Sequence, residues 1–289
     1  MTRLINSIGN IVSEFDVAVL DQYGVLHNGV SAYEGAAQAV DQLSPAGKHV
    51  VILSNSGKRS DFNRRRVEEM GFRLNPSVIV ETSGEAAWRD LHTGRSGFPT
   101  PVCLFPIESQ VGDARNWATD SDRIRIVTSL NKASALLLMG IPPDGTGGNV
   151  QKILAQSRPA ELPLICINPD RTATSGDGLT LAPGVLADQY AAGGGTVIWY
   201  GKPHRTVFDR VRQRFADIPA GRFLMVGDSL THDIMGGKSA GFATCFVRAG
   251  IHSPSFQSVN ACQDVHERIE SLCGELQMPH PDYSLDRLR

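Results

Sequence analysis

Four short segments of the chain carry residues whose types and spacing suit phosphate chemistry. They are Asp21-Gln22-Tyr23-Gly24-Val25-Leu26, Ser54-Asn55-Ser56-Gly57, Gly201-Lys202-Pro203 and Gly227-Asp228-Ser229, the last followed shortly by Asp233. A hydroxyl, backbone N–H groups and an ammonium together bind a dianionic phosphate. Two or three carboxylates hold a hard cation such as Mg²⁺, which keeps several waters and coordinates phosphate oxygen. A carboxylate facing the phosphorus can attack it. Asp21, Ser54, Asn55, Lys202, Asp228 and Asp233 therefore make a coherent chemical set if the fold brings them together.

The elements that must do so are legible as short apolar runs alternating with amphipathic segments. Strands are expected at 17–20, 50–53 and 78–80, with helices at 34–43 and at 60–71, where Ser60 reads as the N-cap and Gly71 as the stop. Thr82 and Glu85 read as a capping box opening a further helix through Leu91. The pattern returns late, with strands at 196–200, 223–226 and 243–247 and a helix bearing Phe208, Val211 and Phe215. Such alternation predicts a mostly parallel sheet wrapped by helices. Ligands of open parallel sheets bind beyond the carboxyl ends of the strands, and each of the four segments follows a strand. From about 98 to 195 the chain is richer in Gly and Pro, yet it holds convincing strands at 135–139 and 164–167. The expected architecture is α/β: a Rossmann-like parallel-sheet core of 1–81 and 196–289, with a second α/β domain of 82–195 inserted into it.

Composition narrows the function classes. The chain has 289 residues, 41% hydrophobic and 20% charged, which supports a sizeable core and favours two domains. A net charge of −2 argues against general attraction to nucleic acid or to an anionic membrane. No apolar run approaches the roughly 18 residues that span a bilayer. The N-terminal segment is interrupted by Glu14 and Asp16 and does not read as a signal peptide. The five cysteines form no C-x-x-C pair and are expected to be reduced, in a cytoplasmic protein.

In order, DQYGVL, SNSGK, GKP and GDSLTHD resemble the four motifs of the haloacid dehalogenase superfamily, and the insertion between the second and third resembles its larger α/β cap. The branch with this arrangement includes phosphatases for sugar phosphates, nucleoside monophosphates, phosphoglycolate and pyridoxal phosphate. The resemblance implies a Mg²⁺-dependent phosphatase whose partner is a small phosphorylated metabolite. Asp21 would be the nucleophile that forms an aspartyl-phosphate and also ligates Mg²⁺. Ser54 and Asn55 would hydrogen-bond the phosphoryl group, and Lys202 would neutralise nucleophile and phosphate. Asp228 would ligate the metal directly, and Asp233 through water or by holding Lys202. In the insertion, Asn168-Pro169-Asp170 resembles the loop that reads the substrate, so Asn168 and Asp170 are the specificity candidates. Pro183-Gly184 resembles the turn before the last cap helix, although Val185-Leu186 replaces the usual second glycine. A homodimer is compatible with this reading, and no residue fixes it.

One departure bears on mechanism. Phosphatases of the superfamily usually carry a second Asp two residues after the nucleophile, which protonates the leaving oxygen and then activates water. Here that position is Tyr23. Its backbone carbonyl still serves the metal, but a phenol with pKa near 10 is a poor base at neutral pH. Two alternatives follow: a metal-independent dehalogenase, whose family members carry Tyr at this position, or a catalytically weakened phosphate-ligand-binding protein. His27 is a candidate proton source. Three look-alikes are set aside: Gly237-Lys238-Ser239 lacks the glycines of a P-loop, the Gly runs at 145–148 and 193–195 read as turns, and Arg64, Arg65 and Arg66 read as a solvated helix face.

Overall fold

The β-branched runs become strands of two separate sheets. A computed structural model describes residues 1–142, 148–175, 178–257, 259 and 261–289. In chain order the strands are β1 (Arg3–Leu4), β2 (Val17–Leu20), β3 (His49–Ser54), β4 (Ile79–Thr82), β5 (Val102–Ile107), β6 (Ile124–Ile126) and β7 (Ala135–Leu138). They continue with β8 (Leu164–Cys166), β9 (Thr172–Ser175), β10 (Gly178–Leu181), β11 (Val197–Trp199), β12 (Phe223–Gly227), β13 (Ala243–Val247) and β14 (Tyr283–Leu285). The helices used below are α1 (Ala36–Leu43), α2 (Ser60–Glu69), α3 (Ser83–His92), α4 (Asp113–Trp117), α5 (Gly148–Ser157), α6 (Gly184–Ala192), α7 (Arg205–Gln213) and α8 (Met235–Ser239).

One unit comprises Met1–Ser54, Arg64–Glu81 and Lys202–Arg289. Its sheet runs β1-β14-β13-β12-β2-β3-β4. β2 sits inside it, parallel to β3 and β12, with Leu20 opposite both Ile52 and Val226. All four residues of β2 are buried, which explains why it reads as a continuous apolar run rather than an alternating one. α1 buries Ala36, Ala39, Val40 and Leu43, one stripe at helical spacing, in a cluster with Ala18, Leu20, Val50 and Ile52. α7 likewise buries Val207, Phe208 and Val211, while Phe215 falls just beyond the helix.

The other unit comprises Asn55–Asn63 and Thr82–Gly201. Its five-stranded sheet runs β11-β8-β7-β5-β6 with every pair parallel, and β9 and β10 form an antiparallel hairpin. The segment 82–195 marked out in the sequence lies within this unit, which takes in 55–63 as well and runs on to Gly201. The strand expected at 196–200 as part of the core forms as β11, but it pairs with β8. Core chain therefore resumes at Lys202. A strand pattern is the same whichever sheet the strand joins, so periodicity alone could not place β11.

Thr82 caps α3 as expected, accepting from the Glu85 amide at 3.0 Å. The reciprocal half of the capping box does not form. The Glu85 carboxylate instead takes Arg59 Nε at 2.6 Å and the Ser60 amide at 3.2 Å, so it caps the start of α2. Two of the three clustered arginines also depart from a solvated face. Arg64 donates to the Val78 carbonyl and Arg66 to the Gly29 carbonyl at 2.8 Å, anchoring α2 to neighbouring loops. Gly237-Lys238-Ser239 lies in α8, and the Gly193–Gly195 stretch ends α6, with φ of +86° at Gly194. The turn expected at 145–148 falls on residues outside the described ones, apart from Gly148 at the start of α5. All five cysteines are free thiols. Among the described residues no helix is long and apolar enough to cross a membrane.

Candidate active site

Three strands of the first sheet deliver polar residues at one edge. Asp21 follows β2, Ser54 ends β3, and Asp228 follows β12. The register sets them level, since Leu20 pairs with both Ile52 and Val226 and the Asp21 amide donates to the Val226 carbonyl at 2.9 Å. Beyond Asp228, Ser229 caps a π-helical turn, Leu230–Ile234, that carries Asp233 back to the same place. Single π turns of this kind recur at functional sites. Asp21, Asp228 and Asp233 are all buried and can each offer a carboxylate oxygen within 4.8 Å of the others.

Lys202 completes the cluster. Its Nζ lies 2.5 Å from Asp21 Oδ1 and 2.9 Å from Asp233 Oδ1. Asp233 is itself held by the Ser229 amide, which donates to Oδ2 at 3.0 Å. Of the two roles considered for Asp233, holding Lys202 is the one this geometry exhibits. Asp21 Oδ1 also accepts the Gln22 amide at 2.6 Å, whereas Oδ2 accepts no hydrogen bond among the described residues. Asp228 Oδ2 accepts the Ile251 amide at 2.6 Å. Room for this carboxylate depends on glycines: a Cβ at Gly24, where φ is +79°, or at Gly250 would overlap it.

The electrostatics are those of too much negative charge in too little water. Burial, then the neighbouring Asp233 and Asp228 charges, raise the Asp21 pKa well above the usual carboxylate range. Burial, then Asp233, push Asp228 up to about 7. Burial works against the Lys202 ammonium, but Asp21 and Asp233 outweigh it and raise its pKa, so it stays charged. Three carboxylates facing one ammonium leave an excess of two negative charges when all are ionised, which one divalent cation balances. Hard oxygen donors in a compact buried cluster suit Mg²⁺. The Tyr23 carbonyl is also spare, accepting no hydrogen bond among the described residues. The residues present fit the ion.

Tyr23 is half-buried, its ring edge-on to His27 at 4.5 Å and under the Arg66 guanidinium at 5.4 Å. Burial raises its pKa against a smaller opposing effect of Arg66, so the phenol keeps its proton at neutral pH. His27 is fully buried, and its Nδ1 accepts the Gly29 amide at 2.9 Å. Nε2 must then carry the proton of the neutral ring, and it meets the Gln22 side-chain amide at 3.0 Å. That contact is a hydrogen bond when Gln22 turns its amide oxygen to the ring. Burial, then Arg66, lower the His27 pKa to about 4. With both nitrogens committed and the ring neutral, His27 is a structural support of the loop, which corrects its reading as a proton source.

The remaining sequence candidates lie in the other unit. Asn55 follows Ser54 directly in the chain, and its Nδ2 donates to Asp170 Oδ1 at 2.7 Å. Asn168 Oδ1 accepts the Asp170 amide at 3.2 Å, forming the turn expected at Asn168-Pro169-Asp170. Sequence reasoning missed Gln22 and the two glycines around Asp228. Gly24 had a signal, as a glycine in a loop just past a catalytic-type Asp; Gly250 had none.

Two family models match the chain: haloacid dehalogenase-like hydrolase over residues 18–102 and HAD-hydrolase-like over residues 199–272. The matches fall before and after most of the inserted unit, on the segments that carry all three clustered carboxylates and Lys202. The chain belongs to the haloacid dehalogenase-like hydrolases. It is 26% identical to chronophin of Bos taurus over 265 residues, covering 86% of each chain. It is also 26% identical to glycerol-3-phosphate phosphatase of Gallus gallus over 298 residues, covering 96% of this chain and 91% of that one. A haloacid dehalogenase-like hydrolase from Brucella suis superposes with a TM-score of 0.79 at 21% identity, over 99% of this chain and all of the other.

Proposed function

We propose that the protein is a phosphatase of small phosphomonoesters that uses Mg²⁺ and forms a phosphorylated Asp21. The observation that carries this reading is the buried cluster in which Lys202 bridges Asp21 and Asp233 with Asp228 beside them. The relatives support it: one of them is by name a glycerol-3-phosphate phosphatase. Asp21, Asp228 and the Tyr23 carbonyl would hold the ion, with Asp233 in reach through water; when bound, it supplies charge neutralisation at phosphate oxygens and lets Asp21 ionise.

Asp21 Oδ1 is occupied by Lys202 and the Gln22 amide, so Oδ2 is the atom that attacks phosphorus. The new Oδ2–P bond forms as the P–O ester bond breaks, and the leaving oxygen departs with the electron pair. Lys202 and the Ser54 hydroxyl, with Asn55 next in the chain, stabilise the charge on the transferring group. Water then attacks the same phosphorus, the Oδ2–P bond breaks, and inorganic phosphate and the Asp21 carboxylate are regenerated. The proton needed by the leaving oxygen has no carboxylic acid at position 23 to come from.

The carboxylate trio favours this reading over a metal-independent dehalogenase, which has no use for three clustered acids. The test is a phosphate-release screen over a panel of metabolite phosphates and p-nitrophenyl phosphate, with and without Mg²⁺. Mg²⁺-dependent phosphate release is the expected result. Halide release from a 2-haloacid without metal, or tight phosphate binding with no turnover of any ester, would overturn it.

A further inference from the structure

Asn55 and Asp170 are 115 positions apart in the chain, yet the second unit joins them by a 2.7 Å hydrogen bond from Asn55 Nδ2 to Asp170 Oδ1. Ser83 Oγ donates to the other end of the same amide, Asn55 Oδ1, at 3.4 Å. The Asp170 turn is fixed in its own right, because the Gly184 amide donates to the Asp170 carbonyl at 2.8 Å. The loop after Asn55 is fixed as well: the Gly84 amide donates to the Ser56 carbonyl at 3.0 Å, and a Cβ at Gly84 would overlap the Gly57 carbonyl. Gly201, with φ of +112°, leaves the space that Asn55 Oδ1, Ser83 Oγ and Pro169 occupy.

We propose that Asp170 is a positioning residue for phosphate recognition, acting through Asn55, and not a reader of the substrate's leaving group. The inference rests on the phosphatase reading above and assigns one residue a part in it. A carboxylate only accepts hydrogen bonds, so it dictates which end of the Asn55 amide faces it. Asn55 is thereby prevented from flipping, and one of its two N–H bonds is spent on Asp170. The other N–H, and the backbone of the residues after Ser54, are left in a single orientation. A charged acceptor makes this hydrogen bond stronger than a neutral pair. Residues that read a leaving group must vary with substrate; a residue that fixes the loop after Ser54 serves every phosphate alike.

Inorganic phosphate separates the two roles because it has no leaving group. Calorimetry of inorganic phosphate binding to the full chain with Mg²⁺ should show affinity about 10–100-fold weaker for Asp170→Ala, the range expected when a hydrogen bond to a charged group is lost. Asn55→Ala should cost a similar factor, and the double variant no more than Asn55→Ala alone. Asp170→Asn, nearly the same shape, guards against misfolding: it should melt as wild type and still bind phosphate more weakly. Across p-nitrophenyl phosphate and glycerol phosphate, kcat/KM should fall by one common factor in Asp170→Ala. Unchanged phosphate affinity in Asp170→Asn and Asp170→Ala with altered preference between the two esters would make Asp170 a leaving-group reader and overturn the inference. So would a wild-type chain that binds no inorganic phosphate. Weakened phosphate binding in these variants without turnover of any ester would instead sink the phosphatase reading and leave the role of Asp170 standing.

Discussion

The ammonium nitrogen of Lys202 stands 2.5 Å from Oδ1 of Asp21 with only 2% of the lysine side chain exposed. An ion pair this deeply buried is held by mutual need. Removing Lys202 leaves Asp21 and Asp233 facing each other without a cation, and breaking such a pair typically costs about 3–5 kcal/mol. Lys202→Met should therefore lower the urea midpoint markedly and abolish phosphatase activity. A variant with unchanged stability would mean that the two ion pairs contribute nothing net to folding.

Asp21→Asn should separate activity from stability. The folded state resists ionising Asp21, so above the unfolded carboxylate pKa near 3.8 this group favours the unfolded chain, and its removal relieves that penalty at neutral pH. The metal-free variant should melt no lower than metal-free wild type while showing no turnover. A clearly lower melting temperature would show that the Lys202 pairing outweighs the repulsion.

Mg²⁺ affinity should depend on pH through Asp228, whose pKa burial and Asp233 push up to about 7. Below that value a proton occupies a carboxylate the ion needs, so affinity should fall by up to roughly tenfold per pH unit between pH 7 and 6 and level off above about pH 8. Calorimetry at three pH values measures this, and repeating it in buffers of different ionisation enthalpy should show protons released on binding at pH 6, from Asp228 and from Asp21, whose pKa is raised as well. Asp228→Asn should bind Mg²⁺ weakly at every pH. Equal affinity at pH 6 and 8 in wild type would remove Asp228 from the ligand set.

His27 makes a prediction of the opposite kind, about stability rather than turnover. Its folded pKa of about 4 lies below the ordinary 6.5, so the unfolded chain takes up a proton between these values and the folded chain does not. Its contribution is intact above pH 6.5 and drains away as pH falls toward 4, by on the order of 3 kcal/mol at most. Thermal melts from pH 7 to 4.5 should fall less steeply for His27→Gln than for wild type. The variant should keep the wild-type preference among phosphate esters, because no proton transfer passes through this ring.

How much of this could be read from the sequence depended on what kind of signal each feature leaves. β2, β3, β12 and β13 are apolar runs of four to six residues beside amphipathic helices, and the chemistry sits at or just past the last residue of the first three, so Asp21, Ser54 and Asp228 were legible. Asp233 and Lys202 were legible as motif members, and their pairing was one of the two roles that the resemblance implied for Asp233; the choice between them depends on a π turn at 230–234 that has no sequence period. β1, β6 and β14 are two or three residues long, too short for any alternation to register. The destination of the Glu85 carboxylate was hidden for another reason. A capping-box spacing offers it a local partner, and Arg59, stacked 3.7 Å over Trp88, out-competes that partner only once the fold has formed. His27 misled in the same way: a loop histidine close to the nucleophile reads as a proton source until the Gly29 amide and Gln22 are seen to engage both its nitrogens.

Tyr23 yields the sharpest prediction. Its phenol is held protonated by burial and stands where a carboxylic acid would protonate the leaving oxygen. His27 cannot substitute, since both its nitrogens are engaged. The leaving oxygen must therefore depart largely unprotonated, which an aryl oxide tolerates and an alkoxide does not. A missing general acid or base costs about 10²–10⁴-fold in rate, or roughly 3–5 kcal/mol of barrier. p-Nitrophenyl phosphate should thus turn over far faster than glycerol phosphate at matched Mg²⁺. Hydrolysis of phosphorylated Asp21 also lacks its base, so the covalent intermediate should accumulate and be trapped by acid quench in the wild type. Tyr23→Asp should raise turnover of both esters, the alkyl one by the larger factor because it gains an acid for its leaving oxygen as well as a base for the second step, and reduce the trapped intermediate. Because Arg66 lies over the Tyr23 ring, the introduced carboxylate will pair with it unless that arginine is removed. The double variant Tyr23→Asp with Arg66→Gln should then gain more than Tyr23→Asp alone. Equal wild-type rates on aryl and alkyl esters, with no gain in either variant, would show that a group outside this loop supplies the proton.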